Sequence, residues 1–237
     1  MNRTTFAKAG CLALTALLLT LLPACSALLP KPAAQPAFFA LDGAPAAGLS
    51  TLPALPVTRA ATIGAAAAPT LVVNPPQASA GFDSQRIIYV RKAHQLEYFA
   101  HSEWVDTPAR MLAPLIVAAV DKSGAFRAVV STPSAAAGDL RLDTEIVRLQ
   151  HEFGSRPSRV RLSLRATLTD NATRQVLARI DFDSVADAAS EDAYGGVVAA
   201  NHATRVVLQS LAVFCSEAAR QWQPRNRGVA AGAVGRV

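Results

Sequence analysis

Apolar and polar residues alternate most regularly between Asp139 and Val185. Val160, Leu162, Leu164, Ala166 and Leu168 are interleaved with Arg159, Arg161, Ser163, Arg165 and Thr167. A period of two marks a strand with one face in the core and one in water. Val176, Ala178, Ile180 and Phe182 repeat the pattern, with Gln175, Arg179, Asp181 and Asp183 opposite. Leu140, Leu142, Thr144 and Ile146 form a third such run, with Arg141, Asp143 and Glu145 outward. Asp170-Asn171 supplies a turn. The pattern predicts a three-stranded antiparallel meander. Its outer face mixes Arg with Asp and Glu, so cross-strand pairs offset like charges. That face reads as a solvated sheet surface in preference to an anion site.

Upstream, Leu71-Val72-Val73 predicts a short strand stopped by Asn74-Pro75-Pro76. Arg86–Arg91 and Gln95–Ala100 predict a hairpin turning through Arg91–His94. Thr107 is placed to cap a helix with its hydroxyl, and Pro108 suits the first helical position. Met111, Leu112, Leu115, Ile116 and Val120 then recur at helical spacing, with a kink expected at Pro114. Phe126 to Ser131 predicts another strand. A last helix is expected from about Asp192 to Gln221, with Val197, Val207, Leu208, Leu211, Phe214, Cys215 and Ala218 on one stripe, extended by Trp222. Gly195-Gly196 is expected to loosen its first turn. The fold class is therefore α+β: a mixed, largely antiparallel sheet with a three-stranded meander, packed by two main helices.

The N-terminus has a different pattern. Arg3 and Lys8 precede a charge-free run, Ala9 to Leu22, that is too short to span a bilayer stably. The segment Leu22-Pro23-Ala24-Cys25 closes it and resembles the lipobox of bacterial lipoproteins. On this reading residues 1–24 are a signal peptide, and the Cys25 sulfur takes a diacylglycerol. Two or three acyl chains, at about 0.8 kcal/mol per buried methylene, hold a protein firmly on a membrane. Ser26, rather than Asp, follows the cysteine, which by resemblance favours the outer membrane, facing the periplasm. Residues 25–69 are rich in Ala and Pro and read as a tether. Within it, Phe38-Phe39-Ala40-Leu41 predicts a docked strand. A fully extended tether of roughly 44 residues would reach at most about 150 Å. The folded domain is expected over 70–222, and 223–237 as a disordered tail.

Loss of Arg3 and Lys8 with the leader lowers the formal charge from +6 to +4. That charge is modest, and with export it argues against a nucleic-acid partner. Of the cysteines, Cys11 lies in the leader and Cys25 takes lipid, so Cys215 is left alone and no internal disulfide framework exists. In an apolar helical pattern, Cys215 reads as a buried, inert thiol. His94, His101, His151 and His202 lack the spacing of a zinc site, and the chain has no nucleophile elbow or phosphate loop. No metal, no cofactor and no catalytic residue are expected. A binding or structural envelope component is the better class.

The run FDSQRIIYVRKAHQLEYFAHSEWVDTPARMLAPLIVAAV is similar to the ABC-type transport auxiliary lipoproteins, the family of the paraquat-inducible lipoprotein C. Tyr89, Arg91, Tyr98, Trp104 and Pro108 fall at the family's signature places. Phe38–Leu41 resembles its early aromatic strand, with Phe where Tyr is usual. The resemblance implies a non-catalytic, lipid-anchored partner of a lipid transport system. Its partners would be an MCE-domain protein and an ABC permease and ATPase; homo-oligomerisation is left open. An outer-membrane assembly or secretion scaffold lipoprotein is the alternative. Trp104 and Tyr98 carry two readings, core packing or an exposed aromatic anchor for a partner.

Overall fold

The computed structural model describes residues 35–43 and 68–223. The leader, Cys25, most of the tether and the tail from Pro224 lie outside the described residues. The chain divides into two units, Met1–Gln35 and Pro36–Val237, and all but Gln35 of the described residues belong to the second.

The meander is present and longer than the alternation indicates. β7 (Leu140–Glu152) pairs antiparallel with β8 (Arg159–Asp170), and β8 with β9 (Val176–Asp187). In β7 the even residues from Leu140 to Ile146 are buried, whereas beyond a register shift at Ile146/Arg148 the odd residues Leu149 and His151 are. An extra residue in a bulge reverses which parity faces the core. This is why simple alternation stops at Ile146 although the strand runs six residues further.

The other edge of β7 takes three short parallel strands in succession. β2 (Thr70–Val73) pairs at Leu140–Leu142, β3 (Gln77–Ala78) at Glu145–Ile146, and β4 (Arg86–Val90) at His151–Glu152. From there the sheet forks. β6 (Ala128–Ser131) lies parallel outside β2. β5 (Glu97–Trp104) is the hairpin partner of β4, and β1 (Ala37–Phe39) runs parallel outside β5. The antiparallel ladders are the long ones, so the sheet is mixed and largely antiparallel. The strand expected from Phe126 begins two residues later, and β5 continues four residues past Ala100 to Trp104.

Among the described residues, two helices cover the sheet. α1 (Pro108–Lys122) starts as expected with Pro108 at its first turn, but the Thr107 hydroxyl makes no capping bond. The helix continues through Pro114 to Lys122. α2 (Ala193–Gln221) packs on β8, β9 and α1. By length and apolarity α2 could cross a bilayer, but half of its most apolar stretch is buried in the body, which makes it the core helix. Asp192 caps it: its Oδ1 accepts the Gly195 N–H at 2.8 Å. Gly195 and Gly196 do not loosen the first turn; both are helical and buried. A Cβ on Gly195 would lie 2.2 Å from the Ser190 carbonyl oxygen, so glycine here permits close packing. The single core runs through Leu71, Ile116, Leu142, Leu164, Leu168 and Leu211, all fully buried. Cys215 is buried among them, and burial pushes its thiol pKa up to about 12, in keeping with an inert side chain.

Candidate functional site

The signature residues divide between core and surface. Trp104 is 3% exposed and belongs to the core, and Pro108 is buried beneath the start of α1. Tyr98 is 51% exposed, with the Arg86 guanidinium stacked 4.0 Å above its ring. Of the two aromatics with open readings, Trp104 is therefore a packing residue and Tyr98 the one available to a partner.

Tyr89 and Arg91 come together at the end of β4. The Arg91 guanidinium lies 4.9 Å from the Tyr89 ring centre and 5.8 Å from that of Phe153. Tyr89 meets Phe99 at 4.7 Å and Phe153 edge-on at 5.7 Å, and Phe153 stacks on His151 at 4.3 Å. The Tyr89 hydroxyl donates to Glu97 Oε2 at 3.0 Å, and this bond raises its pKa. This aromatic group joins the β4–β5 hairpin to the end of β7.

His151 is the innermost member, 2% exposed. Its Nε2 shares a 2.8 Å hydrogen bond with the Ser158 hydroxyl, while the Ser158 N–H donates to Glu191. Nδ1 has no partner among the described residues. It faces Gly196, where an added Cβ would sit 2.6 Å away. Burial lowers the His151 pKa, only partly offset by Glu191 and Asp192, so the ring is neutral near pH 7. His94, His101 and His202 are exposed, and among the described residues no group of three His, Cys, Asp or Glu is placed to hold a metal ion.

The Arg-rich outer face of the meander is largely self-paired. Arg165 bonds Asp181 through Nε at 2.8 Å and Nη2 at 3.0 Å, and Glu145 at 3.3 Å on its other side. These three residues are direct cross-strand partners. Arg161 bridges Glu152 and Asp183, and Arg159 pairs with Asp187 at 3.1 Å. With Arg159, Arg161 and Arg165 engaged this way, the centre of the face is a solvated ion-pair ladder, as the sequence pattern suggests.

Sequence reasoning missed the clamp at Asn201. Its Oδ1 accepts the N–H groups of Asp42 and Gly43, both at 2.8 Å, and its Nδ2 donates to the Ala40 and Val197 carbonyls. Buried in α2, Asn201 fixes the segment that follows β1, and Leu41 is buried beside it. A single Asn within the apolar stripe of a long helix was the available signal. Likewise Trp222 does more than extend that stripe: its Nε1–H donates to Asp170 at 2.8 Å, and this bond is the main cause of the low Asp170 pKa.

Comparison with known proteins agrees with this architecture. The family model described as ABC-type transport auxiliary lipoprotein component matches residues 51–212. Among solved structures, a Xanthomonas campestris protein of the DUF330 family superposes with a TM-score of 0.60 at 23% identity, covering 65% of this chain and 87% of that one. A second crystal structure, of an uncharacterized protein, superposes with a TM-score of 0.53 at 12% identity, covering 62% and 91%. At these identities the likeness is one of fold. No curated protein matches the chain.

Proposed function

This chain belongs to the family of ABC-type transport auxiliary lipoprotein components, and from that premise we propose that it is a lipid-anchored, periplasm-facing component of an MCE-type lipid transporter. The observation that carries the reading is the family match over most of the folded body. The machinery that hydrolyses nucleotide belongs to other chains, an ABC ATPase and its permease, and an MCE-domain protein is the direct partner. The anchor is the lipidated Cys25, exposed by removal of residues 1–24, and Ser26 favours the outer membrane.

The docked β1 shortens the reach expected of the tether. Ala37 to Gly43 are held on the body by β5 and Asn201, so the free connection from Cys25 ends near Ala37. Twelve residue steps at 3.3–3.6 Å reach at most about 40 Å, against the 150 Å that an undocked segment to Pro69 would allow. The lipid anchor therefore keeps the domain of residues 70–222 close to its own membrane, and the partner has to approach it there. Tethering raises the effective concentration of each partner for the other, so a weak contact suffices.

Fatty-acid labelling and cross-linking in cells test this reading. Cys25→Ser is expected to abolish labelling and leave an uncleaved precursor; a variant still labelled and processed would sink the anchor. A photo-reactive residue in place of Tyr98 is expected to capture a subunit of the transporter. Capture only of secretion or lipopolysaccharide-assembly components would replace the transport reading with a scaffold role.

A further inference from the structure

The last strand of the meander has a free side. Among the described residues β9 pairs only with β8, which leaves the backbone donors and acceptors along its other edge without a neighbouring strand. Long edges of this kind accept a further strand unless proline, lysine, a bulge or a covering element blunts them. β9 is twelve residues long and contains neither proline nor lysine, and its one register irregularity lies at its start, at Leu177, leaving Ala178–Asp187 regular.

Both sides of that edge are already prepared for a strand. On the inner side, Ile180 and Phe182 border a groove of about 370 Å³ whose far wall on α2 is Val213 and Phe214, rimmed by Gln209, Ser210 and Glu217. Ile180 is 37% and Val213 56% exposed, and Phe182 meets Phe214 edge-on at 6.1 Å. Inward side chains of an added strand would continue this apolar floor. On the outer side, β7 is mixed in charge, with Arg141, Asp143, Glu145, Arg148 and Glu152, and β8 presents Arg159, Arg161 and Arg165. The edge strand β9 is net acidic, presenting Asp181, Asp183 and Asp187 with Val185 and the single Arg179. Basic residues on an added strand would complement those aspartates.

We propose that the free edge of β9 takes an extended segment of another protein, apolar at alternate positions and basic at those between, by strand addition. Backbone hydrogen bonds would supply the general affinity, and the apolar groove and the aspartates the selectivity. A second copy of this chain fits poorly. Two β9 strands paired about a two-fold axis near the middle of the strand, at Phe182, would set Asp181 against Asp183 twice, and like charges directly opposite are destabilising. The proposal goes beyond the transport reading and does not depend on which complex the protein serves.

Hydrogen exchange on the purified protein tests it, with two short synthetic peptides as probes, one alternating lysine with valine and one alternating glutamate with valine. The lysine peptide is expected to slow exchange within Leu177–Asp187 and the glutamate peptide to leave it unchanged. Val213→Lys, on an exposed position of α2, is expected to weaken the lysine peptide roughly tenfold with the melting temperature unchanged. No protection of β9, equal protection by both peptides, or binding indifferent to Val213→Lys in the folded variant would overturn the proposal. So would protection, without peptide, of the β9 amides that point away from β8. Protection that fades on dilution would assign the edge to a second copy, and protection independent of concentration to a segment of this chain.

Discussion

β7 is held differently along its two edges. On one side a single long neighbour, β8, pairs with nearly its whole length, and the two are joined by a short turn. On the other side three short strands, β2, β3 and β4, share the same length in parallel, each arriving from elsewhere in the chain. The antiparallel side carries its ion pairs on the solvent face, where screening keeps each pair weak. The parallel side rests on burial: all four residues of β2 are buried, and Leu71 and Val73 are almost wholly inaccessible. The charged ladder contributes little, whereas buried apolar residues on both sides, Leu71 and Val73 of β2 and Leu162, Leu164 and Leu168 of β8, hold the sheet to the core.

The sharpest way to break that contrast is Leu71→Ala. It empties a fully buried site between β6 and β7 and is expected to cost about 2–5 kcal/mol, read as a lowered denaturation midpoint. A loss no larger than that from any surface substitution would refute the assignment of stability to burial rather than to the ion pairs. Gly138→Ala probes the same side by overpacking. Its Cβ would lie 2.2 Å from Val72 Cγ2, and the expected cost is about 1–3 kcal/mol in the same measurement.

His151 lies on β7 where β4 takes over from β3. Its pKa is lowered in the folded protein, so the unfolded chain binds the proton more readily. The stability it contributes is fully present above the ordinary histidine pKa of about 6.5. It is lost as the pH falls from there through the folded value. Thermal melts across that window are expected to show a decline that His151→Gln flattens, since Gln can still bond Ser158 without titrating. A slope unchanged by the substitution would remove His151 as the cause.

The smallest effect is expected on the charged side. Arg165→Gln removes the centre of the Glu145–Arg165–Asp181 ladder, yet the melting temperature should move little. Whatever shift there is should shrink in high salt, because exposed pairs are screened. A large, salt-insensitive loss would mean the ladder does more than the contrast allows.

Strand polarity along the meander, the start of α1 at Pro108 and the apolar stripe of α2 were legible because each follows from a local period. The bulge after Ile146 hid the rest of β7, since alternation is read correctly only while its phase holds. Among the signature residues, position alone separated nothing. Tyr98 and Trp104 lie on one strand six residues apart, both aromatic, and only packing buries one and leaves the other beneath Arg86.

What neighbours in the chain can decide was written in the sequence: helix and strand periods, turn positions, a leader-like pattern ahead of Cys25 and the motif of its family. The tertiary structure alone decided the order of strands around β7, the docking of β1 beside β5 and the Asn201 clamp on Asp42 and Gly43. It also left β9 at the edge. The reason is that short parallel strands carry no period long enough to name a partner. Their pairing is chosen by which surfaces can be buried together, and that choice is made only when distant segments meet.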